Sequence, residues 1–151
     1  MASSPPPDPP PLPEREFLEV IERAPLVSID LLVSDPGGRV LLGLRRNAPA
    51  RGSWFVPGGI IRKNERLDAA YARIAQAELG IPLERAGARF LGVYQHFYQE
   101  NFGGLPCFGT HYVVLAHAFT APAALRLPPD QHREYRWLAP AELLDDTAVQ
   151  D

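Results

Sequence analysis

Between Asn64 and Gly80 the hydrophobic pattern of this chain changes from alternation to a helical period, with Leu67, Ala70, Ile74 and Ala77 spaced for one face. Asn64 suits the N-cap, Gly80 suits the position just past the last turn, and Pro82 forbids continuation. The other patterned runs are β-rich, so this helix has a sheet to cover. Residues 26–34 and 39–45 read as a hairpin across Asp35-Pro36-Gly37-Gly38, and a third strand runs from Trp54 to Pro57. Two longer strands, 89–98 and 110–119, flank the glycine-rich loop QENFGGLPCFG. A short strand over 135–138 leads into a terminal helix at 140–144, and EFLEVIERAP from Glu16 forms one helical turn or an arm closed by Pro25. Strands, one central helix and more strands predict an α+β sandwich, because the alternation of a doubly wound parallel fold is missing.

At 151 residues the chain suits one domain with one core. Residues 1–14 hold seven of the seventeen prolines and read as a disordered tail, leaving 15–151 as the domain. A net charge of −3 supplies no broad basic surface, so a small-molecule ligand is expected rather than nucleic acid. No segment has the unbroken apolar length to span a bilayer and the N-terminus lacks a signal pattern, so no membrane partner and a cytoplasmic location are expected. Cys107 is the only cysteine, which rules out an internal disulfide and reads as an ordinary loop thiol.

The stretch GGIIRKNERLDAAYARIAQAELG carries the chemistry. Glycines at 58 and 59 allow close approach of backbone to an ion or phosphate. Glu65 follows Gly59 by six residues, Arg73 follows by eight more, and Glu78 by a further five, just before Leu79-Gly80. This spacing resembles the Nudix box, and the resemblance implies a Nudix fold: a mixed β-sheet or sandwich with a buried loop-helix-loop and a small C-terminal helix. Glu65 and Arg73 would brace that loop as an ion pair. Two acids of the usual pattern are replaced, by Ile74 and Ala77. Three carboxylates on one helix face can hold more than one divalent ion against a diphosphate, whereas Glu78 alone supports a single ion.

The trimmed box resembles the GDP-mannose mannosyl hydrolases, a Nudix branch that attacks carbon rather than phosphorus. PLVSIDLLV, LLGLRRNAPARGSWFVPGG, GVYQHFYQENFGG, THYVVLAHAF and LPPDQHREYRWL extend that resemblance over nearly all of the chain after the proline tail. It implies a GDP-sugar substrate, a homodimer, and one magnesium, or manganese in its place, held by Gly58, Glu78 and Gln131. It further implies that His132 is the base, in a loop bounded by Pro128-Pro129. Without the family, His132 reads as a solvated loop histidine. Arg45 and Tyr112 match positions at the leaving diphosphate, and Asp30 and His96 match positions near the active site. Trp54, Phe55 and Trp137 read as core.

Ile60 stands where well-known members of the branch carry a second phosphate-binding arginine. Arg62, two residues on, is the candidate to replace it if the loop is extended. Two other functions fit the same residues: a Nudix pyrophosphatase cutting a nucleotide sugar at phosphorus, and a non-catalytic nucleotide-sugar binder, for which Ile60 is the best support.

Overall fold

The computed structural model describes residues 9–122, 125, 127 and 132–145, with backbone alone at 132, 133 and 143–145. Its described elements are α1 (Glu14–Arg23), β1 (Leu26–Ser34), β2 (Val40–Arg45), β3 (Trp54–Phe55), β4 (Gly58–Ile60), α2 (Leu67–Leu79), a 3-10 turn (Arg85–Gly87), β5 (Arg89–Tyr98), β6 (Thr110–Thr120), β7 (His132–Leu138) and α3 (Pro140–Asp145). The strands form one mixed seven-stranded sheet in the order β3-β2-β1-β6-β5, with β4 also on β1 and β7 on β2. β1 and β6 are parallel, and the other pairs are antiparallel. The expected α+β architecture is therefore the one the chain adopts.

Alternation divides the middle of the sheet into two faces. On one face Ile29, Leu31 and Val33 of β1 join Leu41 and the buried side of α2 in the core. On the other face Ser28 and Asp30 stand beside Tyr112 and Val114 of β6 and His96 and Tyr98 of β5. Burial of each large aliphatic side chain in that core contributes about 1.5–3 kcal/mol.

The helix differs from its expected form in two ways. Its buried side is Ala70, Tyr71, Ile74, Ala75 and Leu79, whereas Leu67 and Ala77 are exposed. Its N-cap is Arg66, while Asn64 takes a left-handed conformation with φ 65° in the turn before it. Asn tolerates that region because its short polar side chain can bond locally. The C-terminus is as expected: Gly80 has φ 70° and its N–H donates to the Gln76 carbonyl at 3.0 Å. The turn or arm expected at Glu16 is a ten-residue helix from Glu14, packed through Phe17 on Phe102.

One strand was not expected and another reaches further than its sequence suggested, while the third expected strand, 54–57, is only Trp54–Phe55. Gly58–Ile60 pairs with β1 as β4, placing Gly58 opposite Asp30 and Gly59 opposite Ile29. β7 begins at His132, whose Cα lies opposite that of Arg45, so His132 opens a strand instead of sitting in a loop. Trp137 packs against the core as expected, whereas Trp54 lies under the Arg136 guanidinium at 4.1 Å.

The β4–β1 contact requires glycine. A Cβ on Gly58 would stand 2.6 Å from both Asp30 Oδ1 and the Ile29 carbonyl oxygen. A Cβ on Gly59 would stand 3.1 Å from Ile74 Cγ1. We predict that Gly58→Ala lowers stability by about 1–3 kcal/mol, because backbone must move to admit the methyl group. The urea midpoint measures it, and an unchanged midpoint would contradict this close approach.

Candidate functional site

A cavity of about 220 Å³ opens on the even-numbered face of β1, β5 and β6, next to the box glycines. Of the residues expected to form a site, it brings together Asp30, Arg45, Gly58, Glu78, His96 and Tyr112. Each arrives on a different local device. Asp30 comes from the middle of β1, and Arg45 from the last position of β2, where its N–H donates to the Ser53 carbonyl at 3.0 Å. His96 and Tyr112 are register partners on β5 and β6. Glu78 comes from the last turn of α2.

The expected loop brace is present. Arg73 Nε donates to Glu65 Oε2 at 2.7 Å and Nη2 to Oε1 at 2.9 Å, while the other bond from Nη2 ties the Ile60 carbonyl at 2.8 Å. The Arg73 hydrogen bonds hold the Glu65 carboxyl below its ordinary range. A bidentate pair of this kind fixes geometry as well as energy, so the loop between β4 and α2 is held in place under the cavity.

Arg62 is not brought to the site. Its Nη1 donates to the Pro9 carbonyl at 2.9 Å, its N–H donates to Glu65 Oε1 at 3.0 Å, and it does not line the cavity. Ile60 does line it, so that wall is apolar where members of the resembled branch carry an arginine. Gln131 lies outside the described residues, and His132 is placed by its backbone alone.

Several cavity residues, Phe55 and Tyr98 among them, escaped the sequence reading as site residues. Phe55, read as core, faces the cavity with the Arg45 guanidinium 5.4 Å from its ring centre. Tyr98 lies two residues after His96 on the same strand face, and that spacing was the available signal.

The site is electrostatically coupled. Burial pushes the Asp30 carboxyl up to about 7, and the Arg45 charge pulls it only part of the way back. Burial raises the Tyr112 phenol as well, against Arg45, to which Tyr112 is hydrogen-bonded. Burial takes the Tyr98 phenol to about 12. At neutral pH both phenols are therefore neutral donors, and Asp30 is poised between its two protonation states. Among the described residues Arg45 Nε is buried without a hydrogen-bond partner.

A family model described as the NUDIX domain matches residues 24–151. The chain belongs to the Nudix family. Low-salt glycan biosynthesis protein Agl8 of Haloferax volcanii is 47% identical to this Nudix domain over 90 residues, 60% of this chain and 56% of that protein. The chain thus spans little more than half the length of that curated relative. A MutT NUDIX hydrolase from Burkholderia pseudomallei is 32% identical, with a TM-score of 0.62 over 82% of this chain and 87% of that one. The NUDIX domain of Shewanella oneidensis NrtR, solved with ADP ribose, has a TM-score of 0.61 at 19% identity over 91% and 90% of the two chains, a likeness of fold alone. The α+β Nudix fold expected from the box is thereby established.

Nudix hydrolases generally use divalent metals, and the residues here fit one such ion. Glu78 and the backbone of Gly58 and Gly59 line the same cavity, and magnesium characteristically takes one or two carboxylates and completes its shell with water and phosphate oxygens. No group of three His, Cys, Asp or Glu side chains suited to a metal occurs among the described residues. Among the described residues the donors that the box brings to the cavity are thus the Glu78 carboxylate and the box backbone. No described helix is long and apolar enough to cross a membrane.

The Asp30 environment has a stability signature. Because its folded pKa lies above the ordinary 3.8, the unfolded chain releases this proton first as pH rises. The fold then loses stability from about pH 4 to about pH 7, with no further loss above. We predict that Asp30→Asn, which does not titrate, gains on the order of 1–3 kcal/mol over the parent between pH 4 and pH 8. Urea unfolding at both pH values checks it, and a pH-independent difference would contradict the desolvation of Asp30.

Proposed function

We propose that this Nudix domain hydrolyses a GDP-hexose, GDP-mannose or GDP-glucose, to GDP and free sugar, by water attack at the anomeric carbon with inversion. On this reading it is a member of the GDP-mannose mannosyl hydrolase branch. The observation that carries the reading is that α2 turns one acid to the cavity: Glu78 lines it, Ile74 is buried beneath Gly59, and Ala77 is exposed. Attack at phosphorus by metal-activated water calls on several carboxylates, which this helix does not offer. The glycan-biosynthesis role in Agl8's name supports a nucleotide-sugar ligand.

A single magnesium or manganese held by Glu78, the Gly58 carbonyl and Gln131 would supply positive charge at the leaving diphosphate. Arg45 would donate to the same phosphates, and Tyr112, hydrogen-bonded to Arg45, would orient it there. A nucleoside diphosphate is already a good leaving group, so donors at its oxygens replace the protonating acid of a two-carboxylate glycosidase. His132 would take the proton from the attacking water, while Asp30 and His96 would line the sugar's end of the cavity. A homodimer belongs to the reading. The sheet ends at β5, where Phe90, Val93, Tyr94 and Phe97 are each more than half exposed, and an uncovered apolar edge strand favours association. A monomer by sedimentation at micromolar concentration would remove that element.

A second assignment for the base has its own observation: the Asp30 carboxyl, at about 7, can accept a proton at neutral pH. The two are separable. We predict that His132→Gln lowers kcat on the order of 10²- to 10⁴-fold, with KM changed much less. If His132→Gln keeps its rate and Asp30→Asn loses it, the base is Asp30. Sugar phosphate and GMP as products would refute attack at carbon, and tight binding without turnover would make the domain a binder.

A further inference from the structure

Tyr98 ends β5, on the cavity face that it shares with His96. Three rings surround it: His96 stacked at 6.2 Å, Phe55 at 6.1 Å and Tyr112 edge-on at 6.0 Å. The backbone around it is equally constrained. A Cβ on Gly109 would collide with the Tyr98 carbonyl oxygen, so the return strand passes close by. Just beyond, the fully buried Asn101 donates to the Leu105 and Phe108 carbonyls at 2.8 Å each and accepts from the N–H groups of Gly103 and Leu105. A side chain held this way loses little freedom when a ligand arrives.

The phenol end of that ring lies in the combined field of Arg45, Tyr112 and Asp30, and burial keeps it protonated. In the same cavity Arg45 Nε–H is buried with no acceptor among the described residues. Leaving such a donor unmet is unfavourable, and an incoming acceptor relieves it. A guanidinium and protonated phenols offer donors in one place, and an acceptor-only anion complements them. Phosphate oxygens have that character, whereas sugar hydroxyls and base edges bring donors of their own.

We propose that Tyr98 is a substrate-binding residue whose hydroxyl donates, beside Arg45 and Tyr112, to a phosphate oxygen of a nucleoside diphosphate. The inference rests on the reading of this cavity as a nucleotide-sugar site and adds a neutral donor to a site where Ile60 contributes no charge.

Calorimetric titration of GDP, ADP and guanosine with magnesium into the parent and into Tyr98→Phe tests it. The parent is expected to bind a nucleoside diphosphate, and Tyr98→Phe to weaken that binding about tenfold while leaving guanosine affinity and the thermal midpoint unchanged. Loss of affinity for guanosine and the diphosphates alike would give Tyr98 a structural role and overturn the inference, as would unchanged diphosphate affinity. Either result leaves the nucleotide-sugar reading intact. A parent that binds neither GDP nor ADP would instead overturn that reading, and this inference with it.

Discussion

The close approach of β4 to β1 is the contact on which the rest of the structure depends. Gly58 lies opposite Asp30 and Gly59 opposite Ile29, and side chains at either glycine would meet Asp30, Ile29 or Ile74. One short strand thereby does two jobs. On the core face it brings Ile74 of α2 against the sheet. On the cavity face it sets the box backbone beside Asp30 and below Arg45, Tyr112 and Glu78. The Glu65–Arg73 pair, with its further bond to the Ile60 carbonyl, fixes the loop that leaves this strand. Fold and site share a single constraint, so changes at the glycines affect both.

Burial sets the chemistry of the cavity. Asp30, Tyr98 and Tyr112 are all pushed toward their neutral forms, while Arg45 is the positive charge acting on each of them. Such a site, with Arg45 and Arg46 beside protonated phenols, suits an anion in a setting where water screens weakly. On the proposed reading that arrangement serves a leaving diphosphate, in keeping with a helix that turns only Glu78 to the cavity. The substitution of Ile74 for an acid is thus a packing change as well as a loss of ligand, since Ile74 is almost fully buried against Gly59.

Most of the strand plan and the end of α2 were legible, because period-two runs and Gly80 followed by Pro82 have a single physical reading. The start of the helix was not: Asn64 satisfies both an N-cap and a left-handed turn, and the structure uses the second. The buried face was misjudged because alanines recur through the helix and leave its phase open, and Tyr71 proved to be inside and Ala77 outside. β4 was invisible, since a three-residue strand with two glycines has no alternation to read. Asp30, Arg45, Gly58, Glu78, His96 and Tyr112 reached the cavity through resemblance to a family, while Arg62 did not, because its guanidinium is held by Pro9. Tyr98 needed only the period-two rule applied from His96, and Phe55 needed the register that sets it against Gly43 and near Arg45.

The central claim is that the trimmed box marks a change of target atom from phosphorus to carbon. It is tested most directly by incubating the protein with GDP-mannose and magnesium in ¹⁸O-labelled water and weighing the products. The account predicts label in the free sugar and none in GDP, since water would attack the anomeric carbon and the diphosphate would leave with its own oxygens. Label in a phosphate-containing product would contradict it and assign the site to hydrolysis at phosphorus.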